Sequence, residues 1–318
     1  MKKKRKILLI ALLFILCTGC SKSLKDGKNV VQNPDTGQTL TANILCKPSD
    51  KELLELYNKY DDKLTVKMED LPTCKEFTPN KIKYTGLWET LFVKPLAFII
   101  LKLGYLLKNI SAGYMGISVM IIGLLIRIIM MPIQIKTVKQ SENMKKMQPE
   151  MARIEKKYKD KTDNESLMAK SQETMMLYKK YNINPLSSCL LAFIQLPIFF
   201  AFLEAINRVP AIFEGSFLGM NLGMTPSTGI ANQNYIYIIL IVLIIGTTYL
   251  SFRNSTAQQN SGNPEMEQQM KMMTVFMIFT ISLASFSLPT AIALYWIITN
   301  GFAVVQNAII KKIIENRN

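Results

Sequence analysis

Five long apolar stretches constrain the fold of this 318-residue chain more than any other feature. Each stretch is close to the length that an α-helix needs to cross ~30 Å of hydrocarbon. A hydrophobic content of 49% also excludes a disordered chain. We therefore predict an all-α membrane protein with spans at about 112–133, 188–206, 235–252, 272–288 and 290–310.

The scarce residue types limit the chemistry that this chain can perform. It contains no histidine, which excludes histidine-based acid–base catalysis and histidine-ligated metal. Of its five cysteines only Cys17 and Cys20 have CxxC spacing, and no second such pair accompanies them, so a zinc cluster is not expected. We predict that the protein holds no metal and needs no cofactor.

Positive charge is concentrated in a few parts of the chain. Of a net charge of +15, five positive charges lie in residues 1–6, and loop 134–187 carries 12 Lys+Arg against 7 acids. Nucleic-acid binding is a common explanation for a basic chain. Here the excess recurs in alternate loops, which the positive-inside rule explains better. Loop 134–187 and the tail 313–318 are therefore predicted to be cytoplasmic.

The N-terminus has the pattern of a bacterial secretory signal. Five basic residues precede an 11-residue apolar core, which is short for a span. Gly19 before Cys20 resembles a lipobox, although Cys17 stands where an aliphatic residue is usual. We predict a signal peptide at 1–19 and lipidation of Cys20, which would anchor the mature chain outside the plasma membrane. The alternative is an uncleaved N-terminal anchor.

Residues 20–85 form a polar segment that we expect to be extracellular. Its charge is nearly balanced, and only residues 53–60 show helical periodicity. Cys46 and Cys74 could form a disulfide outside the cell, or remain two free thiols. The next stretch, 86–109, is apolar at helical spacing but interrupted by charges, which favours an amphipathic helix in the membrane interface. A sixth span is the alternative.

Arg127 is the main functional clue, because it lies inside the first predicted span of the core, 110–312. It is nine residues before Lys136 and hence ~13 Å from the inner boundary. An arginine at such depth costs on the order of 3 kcal/mol. We expect no acid of the chain at matching depth, since Glu204 falls near the outer face. A water-filled groove visited by acidic groups is the prediction; a snorkelling or carbonyl-bonded structural arginine is the alternative.

Other polar side chains inside the predicted spans are candidates for lining the same groove. Hydroxyl groups in spans usually pack helices together, so the set is more informative than any one member. Trp296 could equally belong to an aromatic belt at the outer surface. The candidates are Gln195, Thr280, Ser282, Tyr295, Trp296 and Asn300.

The loop between the first two spans is predicted to be a helical hairpin. Its helices are expected at 136–159, with a break near Pro149, and at 165–181. Its basic residues could contact ribosomal RNA or anionic lipid, or act only as an orientation signal.

Four stretches together resemble the YidC/Oxa/Alb membrane insertase family, in its lipoprotein form from Gram-positive-type bacteria. The resemblance covers about residues 86–312. Arg127 falls on the family's groove arginine, and Gln195 and Trp296 fall on groove-lining positions. Leu191 stands where the family often has proline. The stretches are GLWETLFVKPLAFII, LLIRIIMMPIQIKTVKQSENMKKMQPEM, KKYNINPLSSCLLAFIQLPIFFAFLEAI and SLPTAIALYWIITNGFAVVQ.

The resemblance implies five transmembrane helices around a hydrophilic groove, a cytoplasmic hairpin and an outer amphipathic helix. It implies an insertase and chaperone, not an enzyme, that passes short exported segments of nascent membrane proteins through the groove. The implied partners are nascent membrane proteins, the Sec translocon, the ribosome and signal recognition pathway, and membrane lipid, with no small-molecule substrate. A small-anion secondary transporter and a scaffolding lipoprotein are the rival functions.

Overall fold

The computed structural model describes residues 21–82, 84, 86–183, 185–258 and 264–316. The predicted signal peptide 1–19 and the lipidation site Cys20 lie outside the described residues. The chain divides into two compact units. The first unit is Met1–Gly123, Gln195–Val242 and Ala284–Trp296; the second is Leu124–Ile194, Leu243–Leu283 and Ile297–Asn318.

The polar segment of the first unit folds around its own small core. Strands β1 (Lys25–Asp26) and β2 (Asn29–Val30) form an antiparallel hairpin. Helix α1 (Lys51–Lys59) begins after Asp50, whose carboxylate accepts a hydrogen bond from the Leu53 amide at 2.9 Å. That contact satisfies one of the free amides of the first helical turn. The core residues include Leu24, Leu40, Leu45 and Tyr57.

Cys46 and Cys74 form a disulfide that closes a separation of 28 residues. Both cysteines are buried in the core of the polar segment. The bond therefore ties the start of α1 to the chain that leads towards the next helix.

Helix α2 (Lys94–Leu107) follows a π-helical turn at Glu89–Val93. Pro95 occupies its first turn, where the missing amide costs no helical hydrogen bond. Together, Glu89–Leu107 is long and apolar enough to cross a membrane. The interfacial placement predicted for 86–109 stays a prediction, with a sixth span as the alternative.

The predicted spans all coincide with helices, although the bounds differ. Among the described residues, three helices are long and apolar enough to span a membrane, and a bent pair would be a fourth. The all-α architecture is confirmed, while the count of five spans stays a prediction. The helices at the predicted spans are α3 (Tyr114–Ile129), α6 (Pro185–Asn207), α8 (Ile236–Gln258), α9 (Pro264–Ser285) and α10 (Thr290–Glu315).

Helix α3 ends before the end of the first predicted span. Helix α3 stops at Ile129 and α4 (Met131–Tyr158) leaves at an angle of 55°. Pro132 lies in the first turn of α4, and it cannot donate to the preceding turn. The first predicted span, 112–133, therefore includes this bend, and its end at residue 133 stays a prediction.

The hairpin of the second unit consists of α4 and α5 (Asn164–Lys180). The predicted break near Pro149 is wrong, since α4 runs through that proline. Met147 and Met151 on either side are buried against Leu177 and Ile183, so packing against α5 holds this part of α4. Asp163 accepts a hydrogen bond from the Ser166 amide at 2.8 Å and begins α5.

The remaining connections belong to the first unit. After α6 the chain forms the strand pair β3 (Ser216–Phe217) and β4 (Met220–Asn221), then the short helix α7 (Pro226–Ala231). The amide of Thr290 donates to the carbonyl of Met224, and that of Ala291 to Leu222. These bonds fix the start of α10 directly after Pro289.

Candidate functional site

Arg127 lies in the last turn of α3, three residues before the bend, and its side chain is half-buried. The amide nitrogen of Gln306 donates to its backbone carbonyl at 3.2 Å. Arg127 also has a further interaction within the chain. The expectation of a cation without any partner in the chain is therefore wrong, while the water-filled groove stays a prediction.

Gln306 and Asn307 are buried polar residues that the sequence analysis missed. They lie on α10 within the second unit and are 1% and 8% exposed. Thr299 and Ala303 are buried on the same helix, at spacings that place them on one face with Gln306. Polar amides within an apolar span are the signal that would have found them.

Three candidates of the second unit have defined surroundings. The hydroxyl of Thr280 donates to the carbonyl of Phe276 at 2.9 Å, and that of Ser282 to Ile278 at 2.7 Å. Both bonds lie within α9, which is how hydroxyls in apolar helices satisfy their donors. Thr280 is exposed, while Ser282 and Asn300 are half-buried. Their role in lining a groove with Arg127 stays a prediction.

The other three candidates lie in the first unit. Gln195 is half-buried on α6. The Tyr295 ring is buried and stacks on Phe202 at 4.3 Å, while the half-buried Trp296 contacts Phe199 edge-on at 5.4 Å. The two phenylalanines were missed because one Phe in an apolar run carries no separate signal. The contact with Phe199 fixes the orientation of the Trp296 side chain on α10.

A second arginine, Arg208, was not singled out by sequence, yet it is fully buried at 0% exposure. It directly follows α6. Its guanidinium lies 3.6 Å from the carboxylate of Glu89 and 3.9 Å from that of Glu204. Its Nε donates to the carbonyl of Asn43 at 2.7 Å, and its guanidinium carbon lies 4.7 Å from the centre of the Tyr84 ring.

The polar segment is attached to the helices of the first unit through this arginine and two neighbours. The amide of Leu45 donates to the carbonyl of Arg208 at 2.8 Å. The ammonium of Lys94 donates to the carbonyls of Ile82 and Tyr84, both at 2.8 Å. The indole of Trp88 donates to Glu204 at 3.3 Å. We call Glu89, Glu204 and Arg208 with these contacts the Arg208 cluster.

The hairpin carries ion pairs on its exposed surface. Lys180 and Tyr181 both donate to the carboxylate of Glu150, at 2.7 Å and 2.8 Å. These bonds hold the pKa of Glu150 below its ordinary value. Lys157 and Tyr158 likewise lower the pKa of Glu173. Within the described ranges, no group of three or more acids and cysteines could hold a metal ion.

Residues 106–317 match the family model described as 60Kd inner membrane protein. A protein of Oceanobacillus iheyensis named membrane protein insertase YidC is 36% identical over 235 residues, which are 74% of this chain and 86% of that protein. Membrane protein insertase YidC 2 of Listeria innocua is 34% identical over 233 residues, or 73% of this chain and 75% of that protein. Membrane protein insertase YidC 2 of Bacillus anthracis is 34% identical over 240 residues, or 75% and 87%.

These matches include both arginines, the aromatic cluster and the hairpin, and they confirm the resemblance inferred from sequence. The relatives are bacterial, and at least three of the described helices are long and apolar enough to cross a membrane. This chain is a multi-pass bacterial membrane protein that belongs to the YidC/Oxa/Alb family.

Proposed function

We propose that the protein is a membrane insertase and chaperone. It moves short exported segments of nascent membrane proteins through a hydrophilic groove and releases their helices into the lipid. The observation that carries this proposal is Arg127, a half-buried cation in an otherwise apolar helix. The names of the relatives, membrane protein insertases, support it. The small-anion transporter has no comparable support.

Arg127 has an electrostatic task in this proposal. A client's acidic residue would lose most of its hydration on entering the bilayer, which costs several kcal/mol for an isolated charge. The guanidinium exchanges its partner within the chain for the client's carboxylate and offsets part of that cost. Because the first partner remains available, the client is bound only transiently. Gln195, Thr280, Ser282, Tyr295, Trp296 and Asn300 are proposed to line the path.

The hairpin is proposed to receive the incoming client. Helix α5 exposes Leu167, Met168, Met175 and Met176. Methionine is flexible and polarizable, so this exposed face suits apolar client segments of different shape. The basic residues around it favour contact with the ribosome or with anionic lipid.

Release of the client's helix requires an apolar exit into the bilayer. Helices α8 and α9 expose Val242, Leu243, Val275, Phe276 and Phe279. Such a large exposed apolar surface is stable only in contact with lipid or with another apolar helix. Burial of the client's apolar helix and the membrane potential drive the transfer, so no covalent step and no cofactor is required.

The Sec translocon and the signal recognition pathway are proposed as partners in the delivery of clients. Lipidation of Cys20 is proposed to anchor the exported segment 20–85 at the outer surface. The first proposal rests on the family resemblance, and the second rests on the lipobox-like pattern before Cys20.

Site-specific photocrosslinking to a stalled nascent membrane protein tests the proposed path. Probes at Gln195 and Trp296 should crosslink to the exported polar segment of the client. A matched probe at the exposed Val242 should crosslink to the client's apolar helix or to lipid. Equal crosslinking of the polar segment from all three positions would contradict a separate polar path.

A further inference from the structure

The polar segment and helix α2 enclose a groove that the proposed function does not use. Its volume is about 450 Å³, within the range of small-molecule sites. One wall is the chain 74–81 that follows the disulfide, and the other is α2 from Phe98 to Leu106. All of these residues belong to the first unit. We call this cavity the α2 groove.

The charges of the α2 groove favour an anion. Lys75, Lys81 and Lys102 line it together with a single acid, Glu76, which leaves two positive charges in excess. All three lysines are exposed, so their ammonium groups are accessible. The lysines that form ion pairs in the described chain include Lys63, Lys145, Lys157 and Lys180, and none of these four lines the groove.

The floor and one wall of the α2 groove are apolar. Phe77 and Leu101 are buried at its base. Phe98, Lys102 and Leu106 follow one another at a spacing of four residues, so they share one side of α2. Leu106 is 69% exposed, and Ile99 of the same helix and Leu91 of the preceding π-helical turn are exposed as well. This side of α2 therefore needs an apolar neighbour.

We propose that the α2 groove binds one anionic phospholipid of the adjoining leaflet. The headgroup phosphate lies among Lys75, Lys81 and Lys102, and the first acyl carbons cover Phe98 and Leu106. The site lies where a charged segment meets an apolar helix in a membrane protein. Only an amphipathic anion satisfies both parts, since inorganic phosphate would leave the apolar wall uncovered.

Native mass spectrometry of the full-length protein tests this assignment with phosphatidylglycerol and phosphatidylcholine of identical acyl chains. We expect one phosphatidylglycerol to be retained in clear preference to phosphatidylcholine. Each lysine near an anionic lipid strengthens binding about fivefold. Lys75→Gln, Lys81→Gln and Lys102→Gln together should therefore weaken retention at least about tenfold.

A matched control removes the same charge elsewhere in the polar segment. Lys25→Gln, Lys28→Gln and Lys67→Gln change exposed lysines outside the groove and should leave retention within about twofold. An equal loss in the control would show a general charge effect and overturn the site. Circular dichroism should report the same melting curve for both triple variants.

Two further experiments identify which molecule occupies the α2 groove. Leu106→Ser should weaken phosphatidylglycerol retention, and millimolar glycerol phosphate should not displace the lipid; displacement would mean that phosphate alone is recognised and would overturn the proposal. Cys20→Ser protein should retain one phosphatidylglycerol, as the unaltered chain does. If a lipid binds only when Cys20 is replaced, the groove holds the chain's own acyl anchor, and the proposal is wrong.

Discussion

Arg208 and Arg127 differ in the surroundings that the two units give them. Arg208, in the first unit, is fully buried between two carboxylates, a carbonyl and an aromatic ring. Arg127, in the second unit, is half-buried at the end of a helix that bends three residues later. A buried charge with many fixed partners cannot exchange them without a large loss of free energy. A half-buried charge can exchange its partner. Arg208 is therefore suited to stabilising the fold, and Arg127 is suited to the transient client binding proposed for it.

The first unit is also cross-linked, whereas the hairpin of the second unit rests on a small cluster. The Cys46–Cys74 disulfide and the Lys94 contacts hold the polar segment in place. The hairpin has Met147, Met151, Leu177 and Ile183 at its centre. Small cores are marginal in stability, so this region can open locally at low cost. We expect damage to the first unit to be structural and damage to the second to be functional.

The largest expected effect is that of Arg208→Met. It leaves the buried carboxylate of Glu204 and the half-buried one of Glu89 without their cation, and breaking a buried ion pair typically costs 3–5 kcal/mol. Protease sensitivity of the polar segment and the melting temperature would measure the loss. Arg253→Met, at an exposed position, is the matched control and should change little. Equal effects of both substitutions would remove the distinction between a structural arginine and an ordinary one.

Loss of the Cys46–Cys74 disulfide is expected to have the second-largest effect. Replacement of Cys46 and Cys74 by serine frees a closed loop of 28 residues, for which chain entropy predicts a loss of about 3.6 kcal/mol. Thermal unfolding with and without reductant would show it. The hairpin should melt unchanged in the same protein. A reductant-dependent change in the hairpin would mean that the two regions are not independent.

Truncation of the hairpin core should have a smaller effect, confined to the second unit. Met147→Ala removes a fully buried side chain and should cost about 2 kcal/mol. Hydrogen exchange of the α4 and α5 amides would report the lost protection. Met168→Ala, on the exposed face of α5, serves as the control and should leave exchange unaltered.

The smallest expected effect is a pH dependence of the hairpin. Lys180 and Lys157 hold the pKa values of Glu150 and Glu173 below the ordinary 4.5. Their stabilisation is complete above pH 4.5 and is lost as the pH falls through the lowered values. Energy transfer between probes on α4 and α5 would follow the opening. Glu150→Gln with Glu173→Gln should abolish the dependence, and Glu165→Gln should preserve it.

Sequence alone predicted the class of fold because apolar runs and alternating charge are one-dimensional patterns. It placed helices at every predicted span and at both arms of the hairpin. It did not predict the bend of 55° before Pro132, and the break that it predicted near Pro149 is wrong. Pro149 lies between Met147 and Met151, which pack against another helix and hold α4 in place.

The candidate site was predictable only in part. Arg127 is conspicuous because a cation interrupts an apolar run, but the contact of its backbone carbonyl with Gln306 has no such signal. Gln306 is 179 residues from Arg127, and no local pattern connects the two. Arg208 looked like a loop residue because Glu89 and Asn43, which bury it, lie more than a hundred residues away. Long-range contacts of this kind are set by packing and leave no periodic signal.

Insertion of two clients that differ only in the charge of the exported tail tests the central claim about Arg127 most directly. Arg127→Ala should lower insertion of an acidic-tail client about tenfold, equivalent to ~1.4 kcal/mol, and that of a neutral-tail client less than about twofold. Arg127→Lys should retain most activity, because charge is needed rather than bidentate geometry. If the defect is the same for both tails, the electrostatic role of Arg127 is wrong.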